Sequence, residues 1–542
     1  MDINNLREQI AELLIIRASG HLYDSQREYP LWELSNNAIQ KLLIQGVGGI
    51  ILLGGTTTEI QNRCQQFRRW SNKDLLLCAD VEEGVGQRFS GGTLLPPPMS
   101  LGQIYKKDSR KAIHLAEQYG AAIGSQARKC GLNWVLGPVC DVNSNPNNPV
   151  INVRAWGEDP ITVSNLVCSF HKGLSSEGVL SCAKHFPGHG DTAVDSHLEL
   201  PLLDKNLDDL ESLELLPFKS IVSEGVDSIM TAHLKLPSLD NTFPATLSPY
   251  ILTNLLRERI GFDGIIVTDA LIMKSISKAY GAGQAAVLAF EAGADLIMMP
   301  EEPYQAIEAI YQSITKNRIP IDRLKDSILR RKLAIEKNRK IISKLSLNSN
   351  CSSDKDIKTS DDKDLVKSII RDSTDFRNLD NIGSDISGSI NLLKVDKLID
   401  NPNLKRLSPA INLLDNLGCN SIILHPLSIN PWTEDWSNPL DLRLFGSSSF
   451  FLQLFIRGNP FVEKVNSERW PLVVKQLQRN KRLRGLVVYG SKYLWEDILR
   501  VLDRSIPAAY SPGQIEEVQE YILSKFIDQS SSSSIEDLEF TS

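Results

Sequence analysis

The twenty residues 178–197, GVLSCAKHFPGHGDTAVDSH, combine a short apolar run with a polar loop that is rich in histidine. The run GVLSCA has the length and composition of a buried strand. The loop after it contains three of the chain's eight histidines, and Pro187 with two nearby glycines prevents a regular helix. A polar loop of this kind is not expected in a packed core. It is typical of an active site at the carboxyl end of a barrel strand.

Similar apolar runs recur on both sides of this segment, separated by helical patterns such as the one over 110–131, which ends at a glycine. This alternation predicts an α/β fold in which residues 1–344 form a TIM-type (β/α)8 barrel, with a doubly wound sheet as the alternative. Residues 1–20 have the pattern of an amphipathic helix and lack the features of a signal peptide. The other predicted strands are GGIILL (48–53), DLLLCAD (74–80), LNWVLGPV (132–139), DSIMTAH (227–233), GIIVTD (264–269) and ADLIMM (294–299).

The composition changes after the predicted barrel. Residues 345–364 are dense in Ser, Asn, Asp and Lys and are predicted to form a polar linker. Apolar runs then return, which predicts a smaller α/β domain over 365–525. Its predicted strands are INLLKV (390–395), NSIILHPL (420–427) and GLVVYG (485–490). The tail 526–542 contains five consecutive serines and is predicted to be disordered.

Charge and cysteine content limit the partners and the cellular location expected for the protein. The 542 residues include 59 Lys+Arg and 66 Asp+Glu, a net charge of −7, which gives no reason to expect nucleic acid or an anionic membrane as a partner. No apolar stretch reaches the length of a membrane span. The eight cysteines form no CxxC pair, and several lie in strand-like runs. We therefore expect reduced thiols and a cytoplasmic location.

Polar and charged residues follow the predicted strands at the same end, where they would converge on one pocket. Some of them also have simpler interpretations. Asp269 could be only the N-cap of the next helix, and His233 could be a structural histidine. Asp80 with Arg88 could be a surface ion pair, and the Asp-Ser-His of 195–197 could be a turn. The strand-end residues are Asp80, Arg88, Asp141, Arg154, Lys184, His185, His197, His233 and Asp269.

Two other types of site are weighed at the same positions. The segment 185–197 resembles a list of metal ligands, namely His185, His189, Asp191, Asp195 and His197. Lys184 would place a cation beside that metal, and the Pro-Gly break removes the helical spacing of the histidines, so no metal site is predicted. The glycine run 46–49 comes before its strand instead of after it, which excludes a dinucleotide-binding loop.

The motif KHFPGHGDTAVDSH (184–197), with DSIMTAH and GFDGIIVTDALIM downstream, resembles glycoside hydrolase family 3. Within that family it is similar to the bacterial β-N-acetylhexosaminidase branch, which is known for peptidoglycan recycling. Supporting stretches are GPVCDVN, INVRAWGEDP and AFEAGADLIMM. The resemblance covers roughly residues 8–340 and is weak over 365–525. Some family members have an α/β sandwich there, so the resemblance implies a sandwich-like C-terminal domain.

The resemblance implies a retaining exo-β-N-acetylglucosaminidase without a cofactor, acting on a small GlcNAc-containing carbohydrate. Asp269 would be the nucleophile that forms a glycosyl-enzyme, and His197 the general acid/base with Asp195 as its partner. These roles agree with the needs of retaining glycosidases and with the pKa of histidine. The residues implied to hold the terminal sugar are Asp80, Arg88, Arg154, Lys184 and His185.

The sequence departs from the family pattern at two positions. Glu83 replaces a usual glycine, which puts the turn after Asp80 in question, and Ala270 follows the implied nucleophile where many relatives have a second Asp. The alternative functions are a β-glycoside phosphorylase or a β-glucosidase of the same family, a metal-dependent hydrolase, and a non-catalytic sugar-binding relative.

Overall fold

A computed structural model of the chain describes residues 3–192, 200–348, 356–378, 386–395, 404–425, 427–428, 430–457 and 469–527. The chain divides into two compact units, Met1–Leu365 and Val366–Ser542, and both combine parallel strands with helices. The prediction of a two-domain α/β fold is therefore confirmed. Within the described residues, no helix has both the length and the apolar character needed to cross a bilayer.

The described part of unit 1 contains eight short strands, and each apolar run predicted as a strand in this unit overlaps one of them. The strands are β1 Leu14–Ser19, β2 Gly49–Leu53, β3 Leu76–Ala79, β4 Trp134–Val135, β5 Cys182–Phe186, β6 Ser228–Thr231, β7 Ile265–Val267 and β8 Ile297–Met298. They form two parallel sheets, β4-β3-β2-β1-β8 and β5-β6-β7. Isolated bridges pair Trp134 with Leu180 and Val267 with Leu296. These bridges connect β4 to the start of β5, and β7 to the start of β8.

Helices separate the strands of unit 1, and a π-helix, Tyr250–Arg259, lies between β6 and β7. The helices are α1 Ile3–Ala11, α2 Asn36–Ile44, α3 Thr57–Trp70, α4 Met99–Lys107, α5 Ser109–Lys129, α6 Pro160–Ser176, α7 Leu207–Ser212, α8 Leu215–Ser223, α9 Lys274–Tyr280, α10 Ala282–Ala292, α11 Pro303–Thr315 and α12 Ile321–Asn348. A further helix, α13 Ser360–Ser373, begins in unit 1 and continues into unit 2. The carboxyl end of α12 and the start of α13 fall inside the segment predicted as a linker, of which residues 349–355 lie outside the described residues.

The prediction of a continuous amphipathic helix over residues 1–20 is wrong. Helix α1 ends at Ala11, and Leu14–Ser19 forms strand β1, which pairs with both β2 and β8. All six strand residues are buried, including Arg17, whose Nη1 donates to the carbonyl of Pro300 at 3.1 Å. A strand that is covered on both faces lacks the alternation of polar and apolar residues that an exposed strand shows. The apolar run of β1 therefore looks like a continuation of the helical pattern before it.

The described strands of unit 2 are β9 Asp375–Arg377, β10 Ile390–Val395, β11 Asn420–Leu424, β12 Phe450–Ile456, β13 Leu483–Gly490 and β14 Ala508–Ser511. The other described helices of this unit are α14 Pro409–Asn416, α15 Arg469–Arg479, α16 Lys492–Leu499 and α17 Glu516–Ile527. The six strands form one sheet in the order β11-β10-β12-β13-β14-β9, parallel except for β9.

The two faces of this sheet differ in polarity. Helices α15 and α16 pack against one face, which includes Leu452, Leu454 and Leu486. The opposite face carries buried polar groups, among them Gln453, whose amide donates to the Ala410 carbonyl in α14. The predicted tail lies outside the described residues from residue 528 onward.

Candidate active site

The candidate site lies at the carboxyl ends of the strands of unit 1. Asp80 directly follows β3, Lys184 and His185 lie in β5, and Asp269 follows β7 by two residues. Arg154 belongs to the loop between β4 and β5, in a short 3-10 turn, Asn152–Arg154. Polar side chains from three strands and one loop are thus placed at the same end of the unit, as the sequence pattern predicts.

The turn after Asp80 directs Glu82 inward. The left-handed backbone conformation falls on Gly84 (φ +99°), where a Cβ atom would approach the Thr93 carbonyl to 2.4 Å, whereas Glu83 has no positive φ. The main chain of Glu83 donates to the Gln87 side chain and accepts from Leu95 N–H. The position at which this chain replaces the family's glycine therefore does not require one.

Glu82 is a buried carboxylate that contacts two cations. Its Oε1 lies 2.7 Å from Arg154 Nε, and its Oε2 lies 2.8 Å from Lys184 Nζ. Lys184 Nζ also donates to Asp80 Oδ1 at 2.7 Å. The side chains of Glu82 and Lys184 are 3% and 2% exposed. These four residues form a charge-balanced cluster that spans β3, β5 and the β4–β5 loop.

The buried side chains of Glu82 and Lys184 stay ionised because oppositely charged neighbours stabilise them. Burial alone would raise the pKa of Glu82, but the charges of Arg154 and Lys184 hold the pKa well below its usual range. Burial would likewise lower the pKa of Lys184, but the carboxylates of Asp80 and Glu82 raise it above its ordinary value. Lys184 is thus a permanent ammonium donor, and Asp80, 27% exposed, offers a carboxylate beside it.

Asp141 is a second buried carboxylate, and it fixes the loop after β5. Its Oδ2 lies 2.7 Å from His185 Nδ1, and its Oδ1 accepts from the main-chain N–H groups of His185 and His189. Burial would raise the pKa of Asp141, but the adjacent histidines lower it. Because Nδ1 of His185 is held by this carboxylate, the ring orientation is set and Nε2 is left for other contacts.

Asp269, the implied nucleophile, lies close enough to the β5 loop to act on it electrostatically. Its Oδ1 accepts from Ala270 N–H at 2.7 Å, and its own N–H lies 3.4 Å from Thr231 Oγ1. Burial lowers the pKa of His189 to about 4, although the negative charges of Asp141 and Asp269 act in the opposite direction. His189 is therefore neutral, and its Nδ1 lies 2.8 Å from Thr192 Oγ1.

His233 is a buried histidine whose two ring nitrogens both have hydrogen-bond partners. It is fully buried, its Nδ1 lies 2.8 Å from Thr246 Oγ1, and its Nε2 lies 3.1 Å from the Ala270 carbonyl. The ring thus contacts the main chain of Ala270, the residue after Asp269. These contacts agree with the interpretation of His233 as a structural histidine.

The remaining predicted residues are placed as follows. Arg88 is exposed, and its Nε donates to the main-chain carbonyl of Asp80, not to the carboxylate. Asp195 and His197 lie outside the described residues, so their predicted roles stay predictions. Among the residues that the structure describes, no group of three or more His, Cys, Asp or Glu side chains is arranged to hold a metal ion.

Two important residues of the site were not assigned a role from sequence. Glu82 was not singled out, and Asp141 was included only as one strand-end residue among several. The sequence does contain a signal for such residues, because an acid that follows a buried strand directly, or two residues further along, is placed at the carboxyl end of that strand. Sequence could not show that each would pair with cations or histidines from another strand.

A parallel-stranded unit with a cluster of acids, bases and cations at the carboxyl strand ends is the arrangement of many sugar-cleaving barrel enzymes. The model of the glycosyl hydrolase family 3 N-terminal domain matches residues 5–332, and that of the bacterial family 3 C-terminal domain matches residues 384–528. The chain belongs to glycosyl hydrolase family 3. The resemblance to this family seen in the sequence is thereby confirmed, and so is the prediction that the protein is a glycoside hydrolase.

Similar proteins include two β-hexosaminidases. One, from Pseudoalteromonas piscicida, is 40% identical over 271 residues, which are 47% of this chain but only 44% of that protein. The other, from Neisseria meningitidis serogroup C, is 35% identical over 277 residues, or 50% of this chain and 76% of that protein. The chain thus aligns with less than half of the Pseudoalteromonas protein.

Solved structures are similar over different lengths. A family 3 β-N-acetylglucosaminidase from Paenibacillus matches with a TM-score of 0.75 at 25% identity, over 96% of both chains. NagZ from Neisseria gonorrhoeae, in complex with N-trifluoroacetyl-D-glucosamine, matches with a TM-score of 0.52 at 28% identity, over 66% of this chain and 97% of that chain.

The buried position of Glu82 leads to a prediction for stability. Replacing Glu82 with Gln leaves Lys184 and Arg154 buried with Asp80 as their nearest carboxylate, and we expect the free energy of unfolding to fall by about 3 kcal/mol. Urea denaturation at pH 7 measures this change. The control E158Q removes the more exposed ion pair with Lys106 and should cost less than about 1 kcal/mol. Equal costs for both variants would contradict the account of the cluster.

A second prediction concerns acid stability. The pKa of His189 is about 4 in the folded chain, compared with about 6.5 for an unperturbed histidine. The unfolded state therefore binds more protons between these values, and stability falls as the pH is lowered from 6.5 to 4. Between pH 7.5 and 4.5, wild type should lose on the order of 2 kcal/mol more than H189N in urea denaturation. The exposed-histidine control H114N should follow wild type, and parallel pH profiles for H189N and wild type would rule out a buried neutral His189.

Proposed function

We propose that the chain is a retaining exo-β-N-acetylglucosaminidase that removes terminal GlcNAc from peptidoglycan-derived fragments or related β-glycosides. The observation that carries the proposal is the buried Glu82–Lys184–Arg154 cluster with Asp80 at the carboxyl strand ends, in a family 3 chain whose relatives are named β-hexosaminidases. The proposal includes one closed eight-stranded barrel, for which the bridges from β4 toward β5 and from β7 toward β8 provide support.

The terminal sugar would bind against the charged cluster. The ammonium group of Lys184 donates, the carboxylate of Asp80 accepts, and Arg154 adds a guanidinium group whose position Glu82 fixes. Donors and acceptors that are already held in place lose little freedom when they bind hydroxyl groups. The proposal includes an exo mode of cleavage, in which these residues bind the terminal sugar of a chain.

Two side chains would carry the reaction. A carboxylate oxygen of Asp269 attacks the anomeric carbon, and the bond to the leaving oxygen breaks as His197 transfers a proton to it. A water molecule then gives a proton back to His197 and attacks the same carbon, which releases Asp269 and a sugar of retained configuration. Asp195 would orient the ring of His197 and stabilise its cation, as a carboxylate does in hydrolytic triads.

The proposal extends to the partners and location expected from sequence. The substrate is a small carbohydrate, and the proposal requires no nucleic acid, membrane or cofactor. A cytoplasmic location suits the seven described cysteines, all of which are free thiols.

Variants of the two reacting residues test the mechanism. We expect D269A to lose at least about 1,000-fold in kcat on an aryl N-acetylglucosaminide, because no other carboxylate would attack the anomeric carbon. Added azide should restore turnover of D269A and give an α-glycosyl azide, since it enters from the face that Asp269 leaves open. The control D263N, at an exposed residue before β7, should keep wild-type rates. Substantial turnover by D269A without azide would remove Asp269 as the nucleophile.

The acid role of His197 is tested through the leaving group. H197A should lose roughly 100-fold or more on a disaccharide and far less on a dinitrophenyl glycoside, whose leaving group needs no proton. H114A, at an exposed helical histidine, is the control. An equal loss on both substrates would contradict the assignment of His197.

A further inference from the structure

Arg17 is a buried arginine whose guanidinium group has few partners. It lies in β1 and is 7% exposed. Its Nη1 donates to the Pro300 carbonyl at 3.1 Å, while its Nε is buried without an acceptor. A guanidinium group has five N–H donors. Most of those of Arg17 therefore have no protein acceptor in the part of the chain that the structure describes.

The charge of Arg17 is also unpaired at short range. No carboxylate among the described residues lies within ion-pair distance of it. Burial lowers the pKa of Arg17, and the charges of Glu302 and Glu301, both exposed, act in the opposite direction. By contrast, Arg154 and Arg331 contact carboxylates at 2.7 and 2.6 Å. Because a buried cation without a partner is costly, the position of Arg17 points to a counter-ion that the protein itself does not supply.

Arg17 faces the side of the sheet that carries Asp80 of the charged cluster. It pairs with Ile51 in β2, and Ile51 pairs with Cys78 in β3, so the three side chains lie on one face. Asp80 follows Cys78 by two residues, and successive side chains of a strand alternate between the faces. The Asp80 side chain therefore points to the same side, where it contacts Lys184.

The same face also carries Asp269. Strand β8 pairs with β1 through Met298 and Ile15, and an isolated bridge pairs Leu296 with Val267 at the end of β7. Asp269 follows Val267 by two residues, which places it level with Ile15 along the paired strands. The arginine two residues further along β1 therefore lies between the level of Asp269 and that of the charged cluster.

We propose that Arg17 binds a carboxylate on the leaving group of the substrate, so that acidic glycosides are the preferred substrates. The inference rests on the proposed function, because a terminal GlcNAc carries no charge and the anion must then belong to the group that is released. The planar guanidinium fork of arginine matches the two oxygens of a carboxylate. Since Arg17 is largely buried, water screens such a pair only weakly.

The test compares two disaccharides with a terminal β-linked GlcNAc that differ only in charge. In one, the second sugar carries a lactyl carboxylate, and in the other that carboxylate is a methyl ester. We expect wild type to favour the acid at least about tenfold in kcat/KM, and R17M to favour it less than about twofold. R17K, which keeps the charge but not the fork, should retain part of the preference.

The matched control is R318M. Arg318 is exposed and pairs with Glu291 at 2.5 Å, so this variant removes the same charge from a surface pair. R318M should keep the full preference for the acid. A preference that survives in R17M, or that R318M also loses, would contradict the role of Arg17.

Urea denaturation separates binding from folding. Because R17M removes a buried unpaired cation, its urea midpoint should equal or exceed that of wild type. A lower midpoint, together with an equal loss on the acid, the ester and an uncharged aryl N-acetylglucosaminide, would make Arg17 a structural residue and overturn the proposal. If R17M does not fold, R17Q, which is neutral and polar, provides the same comparison with R17K.

The failure of this inference is distinguishable from that of the proposed function in wild type alone. Turnover of the aryl N-acetylglucosaminide without a preference for the acid over the ester would refute the role of Arg17 and leave the proposed function intact. If no GlcNAc glycoside is turned over, the proposed function fails, and the role of Arg17 fails with it.

Discussion

The geometry of the site depends on one buried carboxylate, that of Glu82, held between Arg154 and Lys184. Arg154 comes from the loop after β4 and Lys184 from β5, whereas Glu82 follows β3, so the three charges connect parts of the chain that are about 70 to 100 residues apart in sequence. A buried charge without a partner is costly, and a buried pair is stable only when its geometry is well satisfied. The strand ends that carry the site are therefore held in one arrangement before a sugar binds.

The second buried carboxylate, Asp141, acts in the same way on the loop after β5. It accepts two main-chain N–H groups and one imidazole nitrogen, and so fixes His185 and His189 at once. His189 remains neutral beside it, while Lys184 remains charged. The site thus combines the permanent charge of Lys184, proposed to bind sugar, with the neutral imidazole of His189, on which the charge of Asp269 acts.

The sequence was sufficient to predict that several polar side chains lie at the carboxyl ends of the strands of unit 1. A buried parallel strand reads as a short apolar run, and the polar residues after it stand out, which is how Asp80, Lys184 and Asp269 were found. The pairing of Glu82 could not be predicted, because it depends on which strands become neighbours. Strand β1 was missed because its apolar run continues a helical pattern. Strand β12 was not singled out either, although all seven of its residues are buried, since the polar Gln453 interrupts the run and is satisfied only by tertiary contacts.

The central claim is that the pocket built on Glu82, Lys184 and Asp80 accepts an N-acetylated sugar. The most direct measurement compares kcat/KM for two aryl β-glycosides that differ only at C2, the N-acetylglucosaminide and the glucoside. The account predicts a preference of at least about 100-fold for the N-acetylglucosaminide, a difference of roughly 2.7 kcal/mol in transition-state binding. A preference for the glucoside, or binding without turnover of either, would contradict it.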